Sequence, residues 1–76
     1  MVTPSMVRIV RAYLDLTQSQ LAKRMGVSAG SVSSVEKGIN RLTPEFAIKF
    51  KQATGIEDKV LIDIQYLQTK FVEVEE

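Results

Sequence analysis

The chain has 76 residues, a net charge of +1, and neither Cys nor His. This length predicts one small domain over residues 1–76, and the missing residue types exclude thiol nucleophiles, disulfides, the usual zinc ligands and the usual proton shuttle. We therefore expect no enzymatic activity, metal, cofactor or small-molecule substrate, and the short apolar stretches without an export signal predict a cytoplasmic protein that does not cross a membrane.

The first predicted helix begins after Ser5, whose hydroxyl can cap it. Its expected buried side is an apolar stripe at helical spacing: Met6, Ile9, Val10 and Tyr13. Arg11 lies on the other side of this helix, from which its guanidinium could reach Glu36. A partly buried ion pair adds little net stability but is costly to break from one end. We therefore expect the Arg11–Glu36 pair to fix the angle of the helix that carries Glu36.

Residues 17–38 predict two short helices joined by a tight turn. Thr17 can cap the first helix, and Gln20 stands three residues later, as a capping box requires. Gly26 follows the last apolar residue of that helix and is the residue type that most easily adopts the left-handed backbone of a helix end. Ser28 can then cap a second helix that begins near Ala29. Such a pair can present its second helix to the major groove of DNA.

The second helix of this pair has two different sides. Its expected inner side consists of Ser28, Val32, Val35 and Glu36, and its outer side consists of Gly30, Ser33, Ser34 and Lys37, with Ala29 and Ser31 on the flanks. The outer side carries no large apolar group and no acid. It could therefore lie against phosphates and base edges without repulsion, although an ordinary solvated helix face has the same composition.

Two further helices are predicted. Thr43, Pro44 and Glu45 form a strong helix start, and Gly55 ends that helix after an apolar side made of Phe46, Ala47, Phe50 and Ala53. Residues 57–70 predict a fifth helix with more apolar residues than one stripe needs. The surplus predicts a homodimer through residues 57–76, with these contact residues: Leu61, Ile62, Ile64, Tyr66 and Leu67. The tail 70–76 is either frayed or a short strand that pairs with its dimer mate.

The predicted helix pair resembles the lambda-repressor-like helix-turn-helix family of the Cro/repressor and XRE type. The resemblance covers about residues 6–55 and rests on these residues in this order and spacing: Thr17-Gln18, Leu21-Ala22, Gly26-Val27-Ser28, Val32 and Glu36-Lys37-Gly38. It implies a compact all-α domain of five helices, with the helix-turn-helix formed by helices 2 and 3. It also implies a DNA-binding transcriptional regulator, most simply a repressor, on a palindromic operator in a bacterium or a phage-infected host.

The resemblance assigns roles to individual residues. Ala29, Gly30, Ser33 and Ser34 match positions that face bases, and Lys37 completes this outer side. Phosphate contacts are implied for Gln18, Ser28, Ser31, Asn40 and Arg41, and a structural ion pair for Arg11 and Glu36. Ala29 and Gly30 replace the longer polar residues of many relatives. Since a bidentate contact from Gln or Arg contributes ~1–3 kcal/mol of discrimination, we expect weaker selectivity or more dependence on DNA shape, Lys37 and Arg41.

The charge is divided between the two halves of the chain. Residues 1–41 carry six basic and two acidic residues, and residues 42–76 carry four basic and seven acidic residues. A basic half that contains the motif is favourable for binding a polyanion such as DNA. The acidic half would be repelled by the same polyanion, which would orient the protein on it.

The sequence allows two functions other than a transcriptional regulator. Residues 38–65 also look like the corresponding part of helix-turn-helix antitoxins, which repress their own operon and bind a toxin protein. The third reading is a helical interaction module in which the motif has lost DNA binding, which the short residues at positions 29 and 30 would allow.

Overall fold

Five α-helices follow one another in the computed structural model, which describes the backbone of residues 1–75 and the side chains of residues 1–70. They are α1 (Pro4–Tyr13), α2 (Gln18–Met25), α3 (Ala29–Glu36), α4 (Pro44–Thr54) and α5 (Asp58–Glu75). No strand occurs within residues 1–75. The predicted all-α fold with five helices is therefore confirmed. None of the helices in this part of the chain combines the length and apolar character needed to cross a bilayer.

The α2–α3 unit forms as the sequence predicts. Thr17 Oγ1 accepts a hydrogen bond from the Gln20 amide at 3.0 Å, and Gln20 Oε1 accepts one from the Thr17 amide at 2.8 Å. Gly26 ends α2 with φ 73°, in the left-handed region that a residue with a β-carbon adopts only at a cost. Ser28 then caps α3, because its Oγ accepts from the Ser31 amide at 3.1 Å. These local interactions fix both ends of the turn.

The predictions for α1 need two corrections. The cap is Thr3, whose Oγ1 accepts from the Met6 amide at 3.3 Å, and not Ser5. The reason is Pro4, which is favoured at the first helical position and so makes the preceding residue the cap. Ile9 and Tyr13 are also not in the core, since they are 40% and 83% exposed.

The core lies where α1, α2, α3 and α4 meet the start of α5. Its fully buried side chains are Phe50, Met6, Leu21, Leu61, Val7, Val10 and Val32. Val7 takes the place that the sequence analysis gave to Ile9 and Tyr13. The start of α4 is as predicted, with Thr43 as its cap and Pro44 at its first position, and Gly55 ends this helix at φ 69°.

The fifth helix differs from the prediction in length and in the exposure of its side chains. It continues to Glu75, so a strand is wrong for residues 70–75, and residue 76 lies outside the described residues. Leu61 is 1% exposed and belongs to the core. It is therefore not available to a second chain, and its place among the predicted dimer contacts is wrong.

Candidate nucleic-acid interface

Helix α3 turns one side into the core and the other to solvent. Val32 and Val35 are buried among the core side chains, and Glu36 is the buried charged residue of this helix, at 4% exposed. Gly30 and Lys37 are exposed on the opposite side, and Ser33 and Ser34 are half-buried there. The two valines thus hold the helix against the domain. The opposite side, with the small residues Gly30, Ser33 and Ser34 and the basic Lys37, stays accessible.

The serine hydroxyls of α3 fall into two groups. Ser28 Oγ and Ser31 Oγ are 2.8 Å apart, and the same Ser28 oxygen caps the helix, so both of these hydroxyls take part in the helix start. Ser33 and Ser34 have no side-chain hydrogen bond to any described residue. The hydroxyls of Ser33 and Ser34 are therefore fully available to bind something outside the protein, whereas those of Ser28 and Ser31 are partly engaged.

The chain leaves α3 through a turn that keeps the next residues beside the helix end. Gly38 has φ 75°, and the amides of Ile39 and Asn40 both donate to the Ser34 carbonyl, at 2.9 and 3.2 Å. Asn40 and Arg41 are exposed. The turn therefore holds the backbone of Ile39 and Asn40 at the end of α3. Arg41 follows it and lines a shallow surface pocket with Met1 and Pro44.

A polar cluster around Glu36 joins α1, α2 and α3. Arg11 Nε donates to Glu36 Oε2 at 2.8 Å and Arg11 Nη2 donates to Oε1 at 3.1 Å, so the guanidinium binds the carboxylate through two bonds. Gln18 Nε2 donates to the same Oε1 at 3.0 Å. Arg8 donates through Nη1 to the Glu36 carbonyl. Glu36 is thus held by both its side chain and its backbone.

An apolar groove lies between α1 and α5, on a different part of the surface. Its volume is about 300 Å³, and its lining is Ile9, Val10, Tyr13, Ile56, Val60 and Ile64. It continues past Ile9 and Ile64 to Leu67, which is 52% exposed. We call this surface the α1/α5 groove. Ile9 and Tyr13, which the sequence analysis placed in the core, are part of it.

The remaining exposed apolar residues of α5 lie elsewhere. Ile62 and Tyr66 are 62% and 61% exposed. Each is two residues from Ile64, which places it about 160° around the helix from Ile64. The residues predicted as dimer contacts therefore divide into a core residue, a groove pair and a pair on the far side of α5.

Comparison with protein families agrees with this architecture. A family model described as helix-turn-helix matches residues 7–61, which run from α1 to the first turn of α5 and include the whole α2–α3 unit. The chain belongs to the XRE/lambda-repressor-type helix-turn-helix family. Members are DNA-binding regulators and typically not enzymes, so this protein is a DNA-binding helix-turn-helix regulator. Comparison with curated protein sequences and comparison with solved structures each found no significant match.

The helix-turn-helix brings part of the predicted site together. Gly30, Ser33, Ser34 and Lys37 share the accessible side of α3, and Asn40 and Arg41 follow it. Ala29 is half-buried and packs against the core, so it is turned partly away from this side. Gln18, implied as a phosphate contact, uses one amide hydrogen for Glu36 and keeps the other.

The ionisation of Glu36 follows from its surroundings. Burial raises the pKa of its carboxyl group. The hydrogen bonds from Arg11 and Gln18 and the nearby positive charges together lower the pKa by more than burial raises it, so it lies below the ordinary value. The hydrogen bond to Glu36 correspondingly raises the pKa of Arg11. The helix-turn-helix is therefore braced by a charged pair at neutral pH.

Arg8 is the residue of this cluster that the sequence analysis missed. It precedes Arg11 by three residues, a spacing that puts both on one side of α1, and this signal would have been enough to place it near Glu36. Its bond to the Glu36 carbonyl satisfies a group at the end of α3 that has no partner within the helix. Within the described residues, no group of acidic side chains could hold a metal ion.

Proposed function

We propose that the protein is a sequence-specific transcriptional repressor that inserts α3 into the major groove of a palindromic operator as a homodimer. The observation that carries this proposal is the accessible side of α3, where Gly30, Ser33 and Ser34 present small, uncharged groups. An α-helix fits the width of the major groove, and hydroxyls can donate to or accept from base edges. Repression needs no further chemistry, because a bound protein occupies the operator.

The residues around α3 suit contacts to the DNA backbone. Lys37 and Arg41 supply positive charge, and Asn40 supplies an amide at the helix end. Gln18, Ser28 and Ser31 lie at the starts of α2 and α3, where backbone amides also point outward. Phosphate contacts of this kind would position α3, and Ser33, Ser34 and Lys37 would face the bases.

The α1/α5 groove is the surface we propose for the second copy. It is apolar, lies on α1 and α5, and includes no residue of α3 in its lining. A twofold axis through this surface would place the groove of one subunit against the groove of the other, and both α3 helices would stay free. Two such helices about 34–36 Å apart would match two half-sites one turn apart. The protein would act in the cytoplasm of a bacterium, or of a bacterium that carries a phage.

The experiment that tests this proposal is selection of bound duplexes from a random pool. We expect the selected sequences to converge on a palindrome whose half-site centres are about one helical turn apart. The affinity of the selected duplex, measured at several salt concentrations, should fall steeply as salt rises, because phosphate contacts release counterions. A pool that does not converge, together with no binding at low salt, would favour the helical interaction module.

An antitoxin is the second candidate function, and one observation favours it. Ile62 and Tyr66 remain exposed on the side of α5 opposite the groove, in the acidic half of the chain. A homodimer through the α1/α5 groove would leave this pair free for a different protein. A toxin encoded beside this protein should then copurify with it, and Tyr66→Glu should release the toxin without changing operator affinity. Retention of the toxin by Tyr66→Glu would contradict this assignment.

A further inference from the structure

Gly30 is a glycine that the fold does not require. Gly26, Gly38 and Gly55 all have positive φ angles, between 69° and 75°, which favour glycine. Gly30 instead is the second residue of α3, where the backbone is ordinary right-handed helix that does not need glycine. A β-carbon added at this position would meet only Ser28 Oγ, at 3.9 Å, which is an ordinary contact distance. Glycine costs stability in a helix relative to alanine, so the fold alone would favour alanine here.

The neighbours of Gly30 on α3 suggest what the glycine does. Ser33 and Ser34 follow it by three and four residues, so the three share one side of the helix. Their hydroxyls have no partner among the described residues, and each stands on a single carbon. Side chains this short reach base edges only if the helix backbone lies close to the floor of the groove. A missing side chain is what permits such an approach.

We propose that Gly30 is a specificity-determining residue of the DNA interface, because its missing side chain lets α3 lie deep enough for Ser33 and Ser34 to bind base edges. This inference rests on the proposed function. Many recognition helices contact base edges through long side chains such as Arg or Gln. In this proposal the helix backbone lies closer to the bases, and the short serine side chains make the base contacts.

The first test is Gly30→Ala, measured for thermal stability and for affinity to the duplex selected by the wild-type protein. We expect the unfolding midpoint to stay unchanged or to rise by up to about 4 °C, since alanine is the better helix former but glycine costs less in the first turn than in the middle of a helix. We expect affinity to fall at least about fivefold, the lower end of what one lost base contact costs. Gln52→Ala, at an exposed position of α4, is the matched control and should leave affinity unchanged.

The second test is a double-mutant cycle with Ser34→Ala. In the wild-type background this substitution should weaken binding, whereas in the Gly30→Ala background it should add no further loss, because the displaced helix no longer brings Ser34 to the bases. Unchanged affinity of Gly30→Ala, or fully additive losses in the cycle, would overturn the inference while the proposed function stands. If the wild-type protein binds no duplex, the proposed function and this inference fail together.

Discussion

Arg11 Nε and Glu36 Oε2 lie 2.8 Å apart, and a second hydrogen bond from Nη2 to Oε1 at 3.1 Å completes a paired contact between α1 and the end of α3. The guanidinium is planar and rigid, so two parallel bonds fix orientation as well as distance. Arg11 also donates to the Leu16 carbonyl at 3.0 Å, in the connection between α1 and α2. One side chain thus ties the end of α3 to α1 and to the connection that leads into α2.

Arg11→Ala should destabilise the protein strongly. It leaves the Glu36 carboxylate, whose side chain is 3% exposed, without its main partner. We expect the free energy of unfolding to fall by roughly 3 kcal/mol, the lower end for a broken buried pair, because Arg11 itself is partly exposed. Urea unfolding measures this loss.

Two variants control this experiment. Arg24→Ala, at an exposed position of α2, should change the free energy of unfolding by less than about 0.5 kcal/mol. The double variant Arg11→Met/Glu36→Leu should recover much of the lost stability, since apolar residues can replace a buried ion pair. A loss below about 1 kcal/mol for Arg11→Ala would show that the pair does not brace the fold.

Acidification should destabilise the protein through Glu36. Because its pKa in the folded protein lies below the ordinary value of 4.5, the charged form stabilises the fold above that value. This contribution is lost as the pH falls below about 4.5 and through the lower pKa of the folded state. The free energy of unfolding, measured between pH 7 and pH 3, should decline less for Glu36→Gln than for the wild type. The variant starts from a lower stability at pH 7. Equal declines would assign the acid sensitivity to other carboxylates.

Arg41→Ala should weaken DNA binding without changing sequence preference. Arg41 is exposed in the connection between α3 and α4, from which it would contact a phosphate. We expect similar losses for all duplexes and a decrease of about 1 in the slope of log affinity against log salt. Lys59→Ala removes the same charge from α5 and should leave this slope unchanged. A changed sequence preference for Arg41→Ala would mean that Arg41 reads bases.

Leu67→Glu should dissociate the homodimer, whereas Ile62→Glu should not. Leu67 borders the α1/α5 groove, and Ile62 lies on the other side of α5 with similar exposure. A carboxylate in the apolar interface would have no partner, so we expect the dimer dissociation constant to rise at least about tenfold. Sedimentation equilibrium measures both variants. Dissociation by Ile62→Glu alone would place the dimer contact on the opposite side of α5.

The local structure of the helix-turn-helix could be predicted from the sequence because its signals are local. Thr17, Gln20, Gly26 and Ser28 each act on backbone groups within a few residues, so their roles do not depend on the rest of the fold. The same local rule would have placed the α1 cap, since Thr3-Pro4 repeats the Thr43-Pro44 start of α4.

The side that each helix buries was harder to predict, because it depends on distant contacts. Met6 and Val10 fit two apolar stripes of α1, one with Ile9 and Tyr13 and one with Val7, and periodicity does not choose between them. Packing against the other helices buries Val7. In α5 the apolar residues nearly surround the helix, so only the structure separates the buried Leu61 from the exposed residues beside it. Arg8 shares one side of α1 with Arg11, but the group it binds is a backbone carbonyl, which no residue type in the sequence marks as a partner.

The central claim is that α3 binds DNA through its accessible side. The most direct test of this claim is DNA binding by Ser34→Glu. Ser34 lies on the accessible side of α3, and its side chain holds no described part of the fold, so circular dichroism and the unfolding midpoint should match those of the wild type. A carboxylate there would face phosphates and base acceptors, so binding to the selected duplex should be lost at every salt concentration. A folded Ser34→Glu variant with wild-type affinity would show that α3 does not bind DNA through this side.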